Sequence, residues 1–475
     1  MAAWWTNDSC SPFTPANSSC TIGSAVRYTV NVTSGADVQT VLQFTDSHNI
    51  RLVIRNTGHD YLGKSTGPGA VALWTHHLKS IQYKPEYTSS WYTGPALSIG
   101  AGVQGFEAQD AAHRLGFVVV TGHSPDLGIA GGYTQGGGHG HLASQFGLAA
   151  DQVLEWEVVT ATGKILTASP AQNADLYWAL SGGGGGTYAI VLSMTVRIYP
   201  ENKTASGALS FTSTTGDDRF WEVVRMFLVH TLPLLDAGGT ALWIVLPGAT
   251  APNSLTFLSE AITLPGGEKD KLQSYLASTL LLLQRYNMAY DYSINNFPTY
   301  HASITTAVNI SEYNIGGRLI SRSTVQSDLD SFISSMQAIL RHNSAFSGFS
   351  FNVSRANDRV ANAVHPAWRN AAVSVVLGIP YNNKNRQANL VGQKLITDVL
   401  VPQLESLDSP GEEAGAYLNE ADWNQPDWQS AFYGSNYNRL LAIKNKYDPG
   451  QILSARTAVG SERWVEREDG RLCRV

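Results

Sequence analysis

The chain has 475 residues, of which 43% are hydrophobic, 10% aromatic and 15% charged, where an average soluble domain carries about 25% charged residues. This length buries a large apolar core and favours two or three domain-sized units. The 32 basic and 38 acidic residues give a net charge of −6, which excludes a basic surface for nucleic acid or anionic lipid. No apolar run approaches the roughly 20 residues of a membrane-spanning helix.

The cysteines and sequons indicate an oxidising compartment. Cys10 and Cys20 enclose a short loop rich in Pro, Ser and Thr, and we predict a disulfide between them. Cys473 is then either a free thiol or paired with a group outside the chain. The first residues lack the apolar core of a signal peptide, so we expect a secreted protein with its leader removed or its front truncated. N-glycosylation sequons lie at Asn7, Asn17, Asn31, Asn202, Asn309 and Asn352.

The predicted elements change character near residue 200. Residues 29–56 predict a strand, a helix and a strand, and residues 153–166 predict a hairpin that turns at 161–163. Beyond residue 200 the glycine density falls, and helices alternate with strands. This alternation predicts an α+β domain over an antiparallel sheet. The helices are predicted near 217–231, 269–286, 323–342 and 384–405.

Three glycine-dense loops, at 54–69, 122–140 and 175–191, each lie beside a predicted strand. Successive backbone N–H groups in such loops form concavities that bind anions, so the three together indicate one extended ligand. The alternative is that the glycines only allow close packing, and that His59 is a loop histidine bonded to its neighbours. Two histidine pairs, His76 with His77 and His139 with His141, could be considered as metal ligands. Neither pair has a nearby cysteine or carboxylate to complete a ligand set, and we predict no metal.

A fourth segment, 417–453, begins with polar groups among aromatic side chains and ends in an amphipathic helix. Tyr417, Asn419 and Glu420 open this segment, and Tyr433 and Asn436 precede the helix. Polar groups surrounded by aromatic rings are typical of a half-buried site.

Together these motifs resemble the vanillyl-alcohol-oxidase superfamily of PCMH-type FAD-linked oxidases, in particular its fungal berberine-bridge-enzyme-like branch. The motifs that carry the resemblance are R-x-x-G-H-D at 55–60, the glycine run at 128–140, D-L-Y-W-A-L-x-G-G-G-G-G at 175–186, and Y-G-x-N at 433–436. The resemblance implies a two-part FAD-binding domain, 1–203 and 416–475, and an inserted substrate domain, 204–415. The expected partners are a small-molecule substrate and dioxygen, and the protein is expected to be a monomer.

The resemblance also implies the cofactor-binding residues. His59 would bond covalently to the flavin, and Tyr433 and Asn436 would reach it from the C-terminal segment. Val159 and Ile190 would lie near the adenine and ribose. The residues expected to cradle the pyrophosphate and flavin are Arg55, Asn56, Thr57, Gly58, Asp60, Tyr61, Leu62, Ser124, Gly128, Gly131, Gly132, Gln135, Gly136, Gly137 and His139.

Two departures from the family pattern are informative. Many members attach the flavin a second time through a cysteine, and Ser124 occupies that position, so a single covalent bond is predicted. In oligosaccharide-oxidising relatives a Y-x-N-Y motif supplies a tyrosine base, and Glu420 stands in its place. We expect desolvation to raise the pKa of Glu420, so that it serves with Tyr417 as the catalytic acid or base. A surface glutamate is the alternative.

These residues leave three functions open. The first is an FAD-dependent oxidase of an alcohol or activated C–H group, with an expected role in fungal secondary metabolism, that reduces dioxygen to hydrogen peroxide. The second is a redox-neutral isomerase or cyclase that keeps FAD as a scaffold and uses Glu420 as an acid or base. The third is a secreted flavoprotein without catalysis, which the retained acidic group disfavours.

Overall fold

The computed structural model describes residues 3–6, 8, 11, 13, 15–215, 217–248, 253–304, 313–354, 360–467 and 472–475. No helix in these ranges has both the length and the hydropathy that a membrane span requires. Cys10, Asn7 and Asn309 lie outside them, so the predicted Cys10–Cys20 disulfide and two of the sequons stay predictions. Cys473 is a half-buried free thiol.

Nineteen strands are formed by the described residues. In chain order they are β1 Tyr28–Asn31, β2 Leu52–Arg55, β3 Val71–Trp74, β4 Ile81–Thr88, β5 Thr93–Gly100, β6 Phe117–Val118, β7 Val153–Thr160, β8 Ile165–Ala168, β9 Ala189–Arg197, β10 Tyr199–Pro200, β11 Thr204–Ser213, β12 Thr240–Pro247, β13 Leu255–Pro265, β14 Tyr290–Phe297, β15 Tyr313–Ser321, β16 Ala345–Ser350, β17 Ala371–Pro380, β18 Trp464–Glu466 and β19 Leu472–Arg474.

The same residues form thirteen α-helices, several of them a single turn. They are α1 Gly35–Ser47, α2 Gly105–Arg114, α3 Ala143–Phe146, α4 Ala174–Leu180, α5 Asp218–Asp236, α6 Lys269–Arg285, α7 Tyr300–Ser303, α8 Arg322–Ser327, α9 Leu329–Leu340, α10 Arg386–Leu395, α11 Val401–Glu405, α12 Trp428–Tyr433 and α13 Tyr437–Tyr447. There are also two π-helical turns, Ile129–Tyr133, which precedes α3, and Ile396–Leu400, which joins α10 to α11.

The predicted strand, helix and strand at 29–56 are confirmed as β1, α1 and β2. Ser34 caps α1, because its hydroxyl accepts from the Asp37 N–H while the Asp37 carboxylate accepts from the Ser34 N–H at 3.0 Å. Both strands pair in parallel with β3, which lies between them. A second sheet of five strands, in the order β4-β5-β9-β7-β8, contains the predicted hairpin, with Val159 opposite Ile165.

The predicted antiparallel sheet is also confirmed. Seven strands follow the order β14-β11-β13-β12-β16-β17-β15, with every neighbouring pair antiparallel. Alternate residues of a strand face opposite sides, so Phe346 of β16 packs into the core shared with α5, α6 and α9. Phe349 of the same strand joins a smaller cluster that faces the glycine loops.

Two of the predicted long helices are interrupted. The helix predicted over 323–342 breaks between α8 and α9 at Asp328, whose backbone leaves the helical region (φ −136°, ψ 38°) and whose carboxylate accepts a hydrogen bond from Ser331. The helix over 384–405 contains the second π-helical turn just before Pro402, which has no N–H to donate.

The C-terminal segment packs into the same core as the glycine-rich N-terminal part, with Tyr433 and Leu440 both fully buried there. A buried ion pair between Lys444 and Asp448 fastens it. The Lys444 ammonium also donates to the carbonyl oxygens of Thr187, at 2.8 Å, and Leu453, at 2.6 Å. An ammonium whose three N–H donors all have acceptors can be buried at a tolerable cost in free energy. These bonds join segments that are far apart in sequence.

Candidate functional site

A cleft lies where the three glycine loops meet the C-terminal segment. Its lining comes from within residues 52–65, 123–139, 185–191, 417–420 and 453–455, with Thr75 and Ala101 beside them. Each of the three glycine loops contributes, and so does the polar start of the fourth sequence segment. The tertiary fold therefore brings all four motifs to one place.

The first loop is shaped by Asp60 and two glycines. The Asp60 carboxylate accepts from the N–H of Leu62 at 2.9 Å and from the N–H of Ser65 at 2.8 Å. Gly58 and Gly63 both have φ of +79°, in the left-handed region that favours glycine. The Trp5 ring packs so close to Gly63 that a Cβ there would lie 2.4 Å from it, and its indole N–H donates to the Tyr61 carbonyl at 2.6 Å.

The second and third loops touch backbone to backbone. A Cβ on Gly185 would lie 2.8 Å from the Gly132 Cα, so the contact requires glycine. The carbonyl of Gln135 accepts from the N–H groups of Gly182 at 3.1 Å and Gly184 at 2.8 Å. On the opposite side, a Cβ on Gly132 would meet no atom within 4 Å. The glycines thus hold the loops together and leave open space beside Gly132.

The C-terminal segment is joined to the second loop through Asn419. Its side-chain amide donates to the Gly132 carbonyl at 2.9 Å and to the Tyr417 hydroxyl at 2.8 Å. Tyr417 is buried, and burial, followed by the charge of Glu420, raises its pKa well above the ordinary value. Tyr417 is therefore a neutral phenol at physiological pH and is unsuited to act as a base.

Glu420 lines the cleft and is paired with a histidine. Its carboxylate Oε2 lies 3.1 Å from His139 Nε2, and its side chain is 30% exposed. Burial raises the pKa of Glu420, but the charge and hydrogen bond of His139, together with His59 and His123, outweigh burial and lower it below the ordinary value. The expected raised pKa is therefore wrong, because the sequence does not show which histidines surround the carboxylate. Glu420 is a carboxylate at neutral pH.

Two more histidines and several aromatic rings surround this pair. The rings of His123 and His141 lie 3.9 Å apart, and His139 lies 4.7 Å from Phe349 and 5.2 Å from Tyr417. Burial lowers the pKa of His123 to about 4. In the described ranges, no group of three His, Cys, Asp or Glu residues is arranged to hold a metal. The cluster is instead a compact polar site within apolar walls.

His59 lies on the first loop and faces the second. Its Nε2 is 3.5 Å from Asp126 Oδ1, and its side chain is 32% exposed. Burial lowers the pKa of His59, with Asp126 opposing this effect. The imidazole is thus largely neutral at physiological pH.

The predicted site residues divide into two sets. Those that line the cleft are Asn56, Thr57, Gly58, His59, Asp60, Tyr61, Leu62, Ser124, Gly128, Gly131, Gly132, Gln135, His139, Tyr417 and Glu420. Those that do not line it are Arg55, Gly136, Gly137, Val159, Ile190, Tyr433 and Asn436.

The second set supports the walls of the cleft. Val159 and Ile190 are fully buried in the apolar cluster behind the lining residue Leu52. The Tyr433 hydroxyl donates to the Thr457 carbonyl at 2.8 Å, and the Asn436 amide donates to the Val364 carbonyl at 3.0 Å. In this structure these polar groups are therefore used within the protein.

Three further residues line the cleft but were not among the site residues predicted from the sequence: Lys64, His123 and Asn419. Lys64 stands inside the first glycine loop, and a cation in an anion-binding loop is a readable signal. His123 adjoins the substituted cysteine position. Asn419 is part of the motif that carries Glu420, but only the fold shows that it reaches Gly132.

The lining fits a dinucleotide with an anionic centre and a planar ring system. Glycine loops expose backbone N–H groups, and a Cβ at Gly132 would occupy open space in the cleft. Several buried side-chain atoms of lining residues have no hydrogen-bond partner among the described residues. They are Asn56 Oδ1, Lys64 Nζ, His123 Nδ1 and His139 Nδ1.

Family models match both parts of this site. An FAD binding domain matches residues 26–169, and a model described as berberine and berberine like matches residues 416–460. The first contributes the first two glycine loops, and the second contributes Tyr417, Asn419 and Glu420.

Known proteins resemble the whole chain. The FAD-linked oxidoreductase sor8 of Hypocrea jecorina is 43% identical over 478 residues, covering 100% of this chain and 82% of that protein. The bifunctional decalin synthase calF of Penicillium decumbens is 39% identical, covering 99% of this chain and 82% of that protein. The crystal structure of the VAO-type flavoprotein MtVAO615 from Myceliophthora thermophila C1 superposes with a TM-score of 0.90 at 39% identity, covering 100% of this chain and 87% of that one.

Proposed function

We propose, from the premise that this chain belongs to the VAO-type, berberine-bridge-enzyme-like FAD-linked oxidoreductases, that it is an FAD-dependent oxidase of a small molecule. One observation carries the proposal. The Glu420 carboxylate is held 3.1 Å from His139 in the same cleft as His59, with a lowered pKa that keeps it ionised at neutral pH. An ionised carboxylate beside a cofactor cleft is able to take a proton from a bound alcohol or activated C–H group.

His139 positions this base. Its Nε2 donates to Glu420 Oε2, while the Phe349 and Tyr417 rings hold the imidazole in place. The neutral phenol of Tyr417 is bonded to Asn419, so it supports the site without competing for the proton. The aromatic rings beside His139 favour a substrate with a planar or apolar body.

FAD, when bound, supplies the hydride acceptor and is reoxidised by dioxygen with formation of hydrogen peroxide. The residues that would hold it are the glycine loops around Gly58, Gly128 and Gly185. We propose that His59 is the single covalent attachment point. Ser124 lines the cleft but has no thiol for a second attachment.

The attachment is tested on the polypeptide itself. After denaturation in acid, we expect flavin to stay with the wild-type chain and to be released from His59→Ala, with the exposed His342→Ala as the matched control. Release of all flavin from the wild-type chain would remove His59 from the proposal.

The oxidase is tested by incubating candidate alcohols with the protein in air and without oxygen. We expect stoichiometric hydrogen peroxide in air and loss of the oxidised flavin absorbance without oxygen. Product formed while the oxidised flavin spectrum stays unchanged would contradict the oxidase.

Product formed at an unchanged flavin spectrum would favour a redox-neutral isomerase or cyclase. We keep this candidate because one relative at 39% identity is named a bifunctional decalin synthase. The argument against this candidate is that Glu420 does not supply an acid at neutral pH. Glu420, with a lowered pKa, is a poor acid at neutral pH. A cyclase would have to draw its acid from another group.

The setting of the enzyme is also part of the proposal. We propose that the protein is a monomer that acts in secondary metabolism and that it is secreted and N-glycosylated, and the sequons and the Cys10–Cys20 pair support the secretion and the glycosylation. Mass spectrometry of the protein from its native host, before and after removal of N-glycans, tests the glycosylation. Unmodified sequons in that protein would contradict it.

A further inference from the structure

We propose that Lys64 supplies the positive charge that neutralises the FAD diphosphate, and so is a cofactor-specificity residue beyond the backbone cradle. The inference rests on the FAD binding of the proposed function. Lys64 lines the cleft, and its ammonium is buried without a hydrogen-bond partner in the described part of the chain. A buried charge without a partner is unfavourable, so its retention indicates an anion that is bound in the working protein.

The first loop gives Lys64 no hydrogen-bonded anion in the described part of the chain. Asp60 acts on the ammonium electrostatically, but its two oxygens accept from the N–H groups of Leu62 and Ser65 and not from Lys64. On the other side Gly63, at φ +79°, is fixed beneath the Trp5 ring. The backbone is thus held by these contacts on both sides of Lys64, and Lys64 lines the cleft.

The charges of the cleft also require a cation. Among the lining residues of the described ranges, Lys64 is the sole Lys or Arg, whereas Asp60 and Glu420 are acidic. His59 and His123 have lowered pKa values and are largely neutral at physiological pH. A diphosphate brings two further negative charges into this cleft. Among the described lining residues, Lys64 is therefore the Lys or Arg whose charge can offset the diphosphate.

Proton linkage gives the proposal a signature of its own. Burial lowers the pKa of Lys64 to about 8, with Asp60 opposing this effect. An anion that binds beside the ammonium favours its protonated form. FAD affinity should therefore be full below pH about 8 and fall as the pH rises above that value. A cradle made of backbone N–H groups alone predicts no such fall.

The experiment uses the full chain with His59→Ala, in which FAD is held reversibly. Flavin fluorescence titration gives the dissociation constant with and without Lys64→Met, and the exposed Lys164→Met serves as the matched control. We expect Lys64→Met to weaken FAD binding by at least about 30-fold and to remove the pH dependence above pH 8. Lys64→Arg should retain the affinity and hold it to higher pH, because a guanidinium stays protonated.

ADP identifies the part of FAD that Lys64 binds, since it carries the diphosphate without the flavin. In calorimetric titrations of the same proteins, ADP affinity should fall by a factor similar to that for FAD. A large loss for FAD with ADP unchanged would place Lys64 at the flavin ring and overturn the proposal. Equal FAD affinity for Lys64→Met and Lys164→Met would overturn it as well.

These outcomes are distinct from failure of the oxidase. If no substrate reduces the flavin but Lys64→Met still weakens FAD and ADP, the oxidase falls and the role of Lys64 stands. If substrate oxidation proceeds while Lys64→Met binds both ligands normally, the reverse holds. A variant that merely misfolds is recognised by a changed circular dichroism spectrum and by failure of Lys64→Arg to restore binding.

Discussion

The two halves of the cleft are built by different means. The cofactor half is made largely of backbone, in loops where glycine is required by a positive φ at Gly58 or by close approach at Gly185. The reaction half is made of side chains, in which His139 and Glu420 meet although 281 positions separate them in the chain. The comparison teaches that a cofactor can be recognised from local motifs, whereas the proton chemistry depends on contacts that only folding creates.

The largest effect is expected in the reaction half. Glu420→Gln keeps the shape of the side chain but removes the group that takes the proton, so kcat should fall by about 10²- to 10⁴-fold while FAD content stays unchanged. Steady-state oxygen consumption measures it, with the exposed Glu86→Gln as control. Turnover close to wild type in Glu420→Gln would leave the cleft without its proposed base.

The next effect is expected in the cofactor half. Gly132→Ala places a Cβ in open space of the cleft, so the fold should tolerate it but FAD should not. In the His59→Ala background we expect FAD affinity to fall by about 5- to 100-fold, the cost of overpacking by one methyl group. Gly450→Ala, where a Cβ would make an ordinary 3.5 Å contact with Ile452, is the control. Unchanged affinity would mean that the cofactor does not approach Gly132.

A third prediction concerns the pH dependence of the reaction half. His139 lowers the pKa of Glu420 against the effect of burial, so His139→Ala should raise it. The carboxylate then becomes protonated at higher pH, and the acid limb of the kcat/KM profile should move upwards. Measurement between pH 3 and 8 tests the shift. A limb that stays in place, or moves downwards, would show that His139 does not govern the charge of Glu420.

The smallest effect is expected where the two halves are joined. Asn419→Ala removes two hydrogen bonds, to Gly132 and Tyr417, and should lower the free energy of unfolding by about 1–3 kcal/mol. Urea denaturation measures it, with the exposed Asn295→Ala on β14 as control. A loss no larger than that of the control would mean that the two halves are held together by other contacts.

Elements with a strong local signal were predictable. The capped helix α1, the hairpin at β7 and β8 and the alternation of helices and strands after residue 200 follow from residues close together in sequence. The break at Asp328 was not foreseen, because the apolar spacing continues across it while the aspartate forms its own local hydrogen bond.

The family resemblance predicted more of the site than hydrophobic periodicity did. It placed the glycine loops, His59 and Glu420 at one cleft. It did not show that Tyr433 and Asn436 use their polar groups within the protein. Motif membership records which residue types recur together, but it does not show which way a side chain points. Orientation is set by partners such as Thr457 and Val364, which no local pattern includes.

The sequence alone predicted local elements and an extended ligand, because glycine-dependent turns and capped helices are dictated by neighbours within a few positions, and its family resemblance implied FAD. Only the tertiary structure decided the ionisation of the site. The pKa of Glu420 is lowered by histidines from two distant loops, and the buried Lys64 ammonium has no hydrogen-bond partner among the described residues. Charge interactions act over a few ångströms in space, and separation along the chain does not specify those distances.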